Sequence, residues 1–121
     1  MILLDSNIII YSSLPDYDNL RAMIGAMNPS VSEISKLEVL GYHKLGDSDA
    51  AYFRKVFEEL QVLGITSTII EQAIVLRRSK AMSVGDALIA STAIVVGYEL
   101  YTANTSDFQH IRNLQVINPL S

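Results

Sequence analysis

Seven residues at the amino end, Met1-Ile2-Leu3-Leu4-Asp5-Ser6-Asn7, restrict the possible folds more than any other stretch. Branched apolar residues run without polar alternation into an aspartate and then into two turn-forming residues. An apolar run this short and uninterrupted is expected to be a strand buried on both faces, as inside a parallel sheet. Open α/β sheets bind ligands in the crevice past the carboxyl ends of their strands. An acid in that position is a candidate functional group, and Asp5 occupies it.

The rest of the chain alternates helical and strand patterns. Ser6 caps a short helix to Ile10 or Tyr11. Asp16–Met27 has helical spacing at Leu20, Met23, Ile24 and Met27, and Asn28-Pro29 breaks it. Ser30-Val31 is a minimal strand. Ser32 caps a helix whose stripe is Ile34, Leu37, Glu38, Gly41, Tyr42 and Leu45, ended by Gly46-Asp47. Asp47 or Ser48 caps the next helix, which buries Ala51, Phe53, Val56, Phe57, Leu60 and Leu63 and closes at Gly64. Ile65-Thr66 is then a minimal strand, and Thr68–Glu71 has the spacing of a capping box for a helix to Arg78. Ser83-Val84-Gly85-Asp86 opens a helix to Gly97. Tyr98–Thr102 and Gln115–Ile117 are strands, with a short helix expected at Phe108–Arg112. This alternation predicts an α/β fold, a parallel sheet covered on both faces. With 121 residues and neither linker nor repeat, a single domain is expected.

The absence of cysteine excludes disulfides and thiolate metal sites. Thirteen acids against nine bases give a net charge of −4, which argues against a non-specific nucleic-acid binder. It does not argue against an enzyme whose carboxylates reach phosphates through a metal ion. No basic segment precedes the first apolar run, and no apolar run approaches the ~20 residues of a membrane span. A cytoplasmic protein with no membrane partner is expected.

Four acids can meet at one edge of such a sheet. Asp5 and Asp107 follow strands, Asp86 lies in the first turn of its helix and Glu38 in the second turn of its own. Each also has an ordinary role available. Asp5 can cap the helix after it, Asp86 can be the first-turn acid favoured by the helix dipole, and Asp107 can make an Asx turn. Glu38 falls on an apolar stripe, where an unpaired buried acid is costly, and a site role explains it better. Crowded carboxylates repel, and a shared proton or a divalent cation relieves them. Oxygen donors suit Mg²⁺, with Mn²⁺ able to substitute. Glu33 and Glu71 read as first-turn helix acids, and His43 and His110 as isolated surface or helix-end residues.

At these residues the chain resembles the PIN-domain nucleases, and among them the VapC-type toxins of VapBC toxin–antitoxin pairs. The resemblance runs through Leu4-Asp5-Ser6-Asn7, Ser32-Glu33-Ile34-Ser35-Lys36-Leu37-Glu38-Val39-Leu40-Gly41, Gly85-Asp86-Ala87-Leu88-Ile89-Ala90-Ser91-Thr92-Ala93 and Leu100-Tyr101-Thr102-Ala103-Asn104-Thr105-Ser106-Asp107-Phe108, closing at Val116-Ile117-Asn118-Pro119. It implies a three-layer α/β/α fold with a five-stranded parallel sheet in order 3-2-1-4-5. It also implies a Mg²⁺- or Mn²⁺-dependent endoribonuclease with an RNA substrate, a cognate antitoxin protein as partner, and a homodimer. Asp5, Glu38, Asp86 and Asp107 match the family's catalytic, metal-binding acids, and Ser6 or Asn7 and Asn104 its supporting polar positions. Ala103 departs from the pattern, because family members often carry an arginine there. Arg77, Arg78 and Lys80 form the one dense basic cluster, and contact with the RNA backbone or a solvated helix end is expected there.

Two readings of other classes compete. A haloacid-dehalogenase-like phosphohydrolase would use Asp5 as a nucleophile, but it usually has a second aspartate where this chain has Asn7. A non-catalytic receiver-like or scaffold module would need an acidic pair after its first strand, which the chain lacks.

Overall fold

The computed structural model covers Met1–Ser121, and the opening apolar run is its central strand. In β1 (Ile2–Leu4), Ile2 and Leu4 enter one hydrophobic cluster while Leu3 enters another on the opposite face. Side chains alternate along a strand, so this strand is buried on both sides because both of its faces are apolar.

The chain leaves β1 through helix α1 (Ser6–Tyr11) and helix α2 (Asp18–Met27), the latter preceded by a 3-10 turn at Pro15–Tyr17. Asn28 ends α2 in the left-handed region, with φ of 47°, and Pro29 follows. Strand β2 (Ser30–Ser32), helix α3 (Glu33–Leu40), helix α4 (Asp47–Glu59) and strand β3 (Gln61–Leu63) continue to one edge of the sheet. Helices α5 (Ser67–Ser79) and α6 (Val84–Val96) pack against each other before β4 (Glu99–Tyr101) returns beside β1. A 3-10 turn at Thr105–Asp107 leads to β5 (Val116–Ile117) at the other edge.

All four strand pairings are parallel and the order is β3-β2-β1-β4-β5, as expected. One face packs on Ile8, Ile9, Leu20, Val39, Phe53 and Phe57, from α1 to α4. The other packs on Leu76 of α5 and on Ile89, Ala90 and Ala93 of α6, with Phe108 and Ile111. The direction of winding reverses at β1, where the chain crosses from β3 back to β4. The reversal opens a crevice at the carboxyl ends of β1 and β4, and Asp5 stands at its mouth, its backbone N–H still bonded to Tyr101 O at 2.8 Å.

Several expected boundaries differ. The third strand is Gln61–Leu63, not Ile65-Thr66, because Val62 pairs with Val31 in the sheet. Leu60 and Leu63 sit at the spacing that α4 had already established, so a helical stripe and a short buried strand share one apolar pattern. Helix α3 stops at Leu40, with Gly41 as its C-cap, instead of running to Leu45. Helix α5 is capped by Thr66, whose hydroxyl accepts from Ile69 N–H, and the Thr68–Glu71 box is interior. The short helix expected at Phe108–Arg112 is replaced by the 3-10 turn just before it. No helix is long and apolar enough to cross a membrane.

Candidate active site

Asp5 is fixed by the residues on either side of the crevice. It has extended backbone and caps α1, with Oδ1 accepting from Ser6 N–H at 2.7 Å. Its Oδ2 accepts from the Thr102 hydroxyl at 2.7 Å. That hydroxyl in turn accepts from Asn7 Nδ2 at 3.3 Å and from Asn104 N–H at 3.1 Å. Asn7 Oδ1 accepts from Ala103 N–H at 3.4 Å, tying α1 to the end of β4. Thr102, fully buried, is therefore the residue that orients Asp5, and the sequence reading missed it as a site residue. Its signal was faint: a Thr at the end of an expected strand is common, and only the pairing of β4 with β1 brings it to Asp5.

Ser6 connects Asp5 to Glu38. Its Oγ lies 2.8 Å from Glu38 Oε1 and 2.9 Å from Ser35 Oγ. Ser6 is the donor in both directions; a hydroxyl has one proton, and the charged carboxylate is the stronger acceptor, so Glu38 takes the larger share of it. Helix α3 can lie this close because Ser35, one turn before Glu38, is small and wholly buried against α1. The expectation of a buried stripe on this helix is corrected. Glu38 is exposed and so are Leu37, at 68%, and Tyr42, at 55%, whereas Ser35 and Val39 face inward. Glu38 stands at the site by reaching across it rather than by burial in the core.

Asp86 arrives from the other direction. Ser83 caps α6 by accepting from Asp86 N–H at 3.0 Å, which fixes Asp86 in the first helical turn. Asp107 closes the 3-10 turn after β4, on the open side of the crevice. The two acids share a cleft of about 300 Å³ with Lys80, Ser83, Ser106 and His110.

The electrostatics link all four. Burial pushes the Asp5 carboxyl up to about 6; the charges of Asp86 and Glu38 add to the rise, against the hydrogen bonds from Thr102 and Ser6. Burial also raises Asp86, and the Asp107 and Glu38 charges add to it, against the hydrogen bond from Ser83. The chain's two ion pairs, Arg21–Asp18 and Lys55–Glu59, lie elsewhere, so none of the four is in a salt bridge, and Lys80 is the one basic residue that lines their cleft. The donor set is all oxygen, crowded and free of salt bridges, which is the chemistry of a hard divalent cation site. No three of the chain's acidic and histidine side chains stand at ready ligand spacing. The fit is one of donor type and charge.

The basic cluster divides. Lys80 lines the acidic cleft, whereas Arg77 and Arg78 line an apolar groove with Ile70, Ile74 and Val84 between α5 and α6. Arg77 Nε donates to Met82 O at 3.2 Å, which holds it on that side. Asn104 is exposed and meets the site through its backbone alone. His110, read as a surface residue, instead buries both ring nitrogens in the cleft wall with no hydrogen-bond partner. No sequence signal marked it.

A model of the PIN domain matches residues 2–114. A chain in a toxin–antitoxin complex from Klebsiella pneumoniae is 28% identical, with 98% of each chain covered and a TM-score of 0.79. VapBC2 from Rickettsia felis, bound to a DNA fragment from its promoter, contains a chain 23% identical with 98% of each covered and a TM-score of 0.80. DNA-bound VapBC from Salmonella typhimurium contains one 19% identical with 96% of each covered and a TM-score of 0.83. At the two lower identities the likeness is one of fold. No curated protein sequence matches this chain significantly.

Proposed function

The chain belongs to the PIN-domain family, and on that premise we propose that it is a metal-dependent endoribonuclease, the toxin of a type II toxin–antitoxin pair. One observation carries the reading: Asp5, Glu38, Asp86 and Asp107 gather at the carboxyl edge of the sheet, and none of them is held in a salt bridge. These four would hold Mg²⁺, or Mn²⁺ in its place. When bound, the cation supplies an acidified water and positive charge against a phosphodiester, the chemistry of in-line hydrolysis.

The chain's own residues prepare that site. Ser6 N–H and Thr102 aim both oxygens of Asp5, and the Ser6 hydroxyl holds Glu38 beside it. Asn7 saturates Thr102 and ties α1 to β4, which keeps the crevice at fixed width. Lys80 offers a positive charge beside Asp86 and Asp107, where an RNA backbone would pass. With Ala103 in place of the family's common arginine, Lys80 is the cation that lines the cleft and can take that part.

The partners follow from the same reading. Two of the similar structures are VapBC complexes and a third is a toxin–antitoxin complex, so a cognate antitoxin is the expected binding partner. Exposed apolar residues along α5 and at the start of α6, Ile70, Ile74, Val75 and Val84, suit a homodimer closed by a two-fold axis. A cytoplasmic location is part of the proposal.

Cleavage of a structured RNA by the purified protein with Mn²⁺, and its loss with chelator, tests the reading. Equal cleavage with and without chelator would sink the metal-dependent mechanism, and Mn²⁺ binding without cleavage of any RNA would sink the nuclease.

A further inference from the structure

Gly85 lies in the first turn of α6, next to Asp86, with no backbone reason to be glycine. Its φ is not positive, unlike that of Gly97, which ends the same helix at φ of 77°. Alanine would serve the helix better there, since glycine has the poorer helix propensity. The space around it supplies the reason. A Cβ built on Gly85 would fall 2.5 Å from Glu38 Oε2, 3.2 Å from its Cδ and 3.5 Å from Oε1. The three nearest heavy atoms all belong to one carboxylate, which comes from a different helix.

Glu38 thus reaches from α3 across the crevice and rests its carboxylate between two supports. Oε1 takes the Ser6 hydroxyl at 2.8 Å, and Oε2 lies in the place that a side chain at position 85 would fill. We infer that Gly85 is a positioning residue, whose missing side chain is the space that lets Glu38 stand beside Asp86 and Asp5. This rests on the metal-site reading above and deepens it. The exposed end of a flexible glutamate gives way more easily than helix backbone, so a methyl group added at this position moves Glu38 and not α6. The exchange is then split in its effects. Gly85→Ala strengthens the helix and removes a charge from a crowded site, while it takes one oxygen ligand away from the cation.

The test uses the full chain, with Mn²⁺ as the probe. For Gly85→Ala, calorimetry should show Mn²⁺ binding weakened by about tenfold or more, in the range seen when support of a metal ligand is lost. RNA cleavage should fall in parallel. The metal-free Tm should rise by about 2–4 °C, the gain expected from replacing a helical glycine in a domain of this size. In a Glu38→Ala background the same exchange should change Mn²⁺ affinity by less than about twofold, because coupled residues lose their mutual effect once one is removed. With a wild type that binds Mn²⁺, unchanged binding in Gly85→Ala or an equal loss in the Glu38→Ala background would overturn the inference, and a fall in metal-free Tm would overturn it whether or not the metal binds. A crystal structure of metal-free Gly85→Ala separates it from the reading beneath. Glu38 displaced from Ser6 supports the inference even if wild type binds no Mn²⁺, and Glu38 unmoved overturns it even if wild type binds tightly.

Discussion

The two ends of the acidic edge are built differently. Around Asp5, at 6% exposure, every carboxylate oxygen has a donor, and those donors come from the helix that follows β1 and from the end of β4. Asp107 lies on an exposed 3-10 turn and its carboxylate accepts no hydrogen bond within the chain. Hydrogen bonds from Ser6 and Thr102 fix the Asp5–Glu38 end, whereas none holds the Asp107 carboxylate. On the proposed reading, the first end would be set before a ligand arrives and the second would adjust to it.

The largest expected effect tests that division directly. Asp5→Asn and Asp86→Asn should each lower Mn²⁺-dependent cleavage by at least ~10²–10³-fold, the scale at which single preorganised electrostatic groups act. Asp107→Asn should lower it by distinctly less, since water can replace a ligand on the open side. Equal losses at Asp5 and Asp107, measured as kcat/KM under the same metal concentration, would erase the distinction between the two ends.

Stability should move the opposite way. The Asp5 carboxyl titrates near 6 in the folded chain, against an ordinary aspartate value of 3.8. Between those values the folded state holds more protons than the unfolded state, so metal-free stability falls as pH rises from about 4 to about 6. The full shift amounts to ~3 kcal/mol, present as a penalty above the folded pKa and absent below the unfolded one. Asp86 is raised as well and adds in the same direction. Asp5→Asn should therefore be inactive yet more stable than wild type at pH 7.5 by ~2–3 kcal/mol, with the two converging near pH 4. Urea titrations at both pH values measure this, and a variant less stable at pH 7.5 would show that its hydrogen bonds outweigh the buried charge.

Thr102→Val removes the donor to Asp5 while keeping shape. It leaves Asn7 Nδ2 and Asn104 N–H without their acceptor, and it should destabilise the chain by ~1–3 kcal/mol, the range for buried groups left unpaired. Without that donor the Asp5 pKa should rise further. A carbon-detected carboxyl titration showing no rise would mean that Thr102 packs against Asp5 without orienting it.

How much of this could be read beforehand follows the same physical line. Where a residue's neighbours in sequence determine its place, the sequence was mostly enough, the Thr66 cap of α5 and the end of α3 at Gly41 being exceptions. Ser83 capping Asp86, Ser32 capping α3 and the doubly buried β1 are all local. Where strand pairing determines the place, it was not. Val62 is a strand residue because Val31 lies beside it, and Thr102 orients Asp5 because β4 lies beside β1. Glu38 shows both sides: its position on α3 was legible, but its exposure was not, because α3 turns Ser35 and Val39 inward. His110 acquires its buried nitrogens only when the cleft wall forms.

The smallest expected effect concerns the basic residues at the end of α5, and it sharpens the comparison at its open end. Lys80 is the one of the three that lines the cleft of Asp86 and Asp107; Arg77 and Arg78 border the apolar groove. If RNA enters over the Asp107 end, its phosphates meet Lys80 and pass the arginines by. An RNA strand that loses one lysine contact releases one fewer set of condensed counterions, which lowers the slope of log affinity against log salt by about 0.7. Lys80→Ala should show that change in the salt dependence of KM while kcat holds, because the lysine meets the substrate backbone and not the acids. Arg78→Ala should leave the slope as it is in wild type. A slope that falls equally for Lys80→Ala and Arg78→Ala would place the RNA across both faces of the α5 end, and the open side of the site would extend further than the acids mark it.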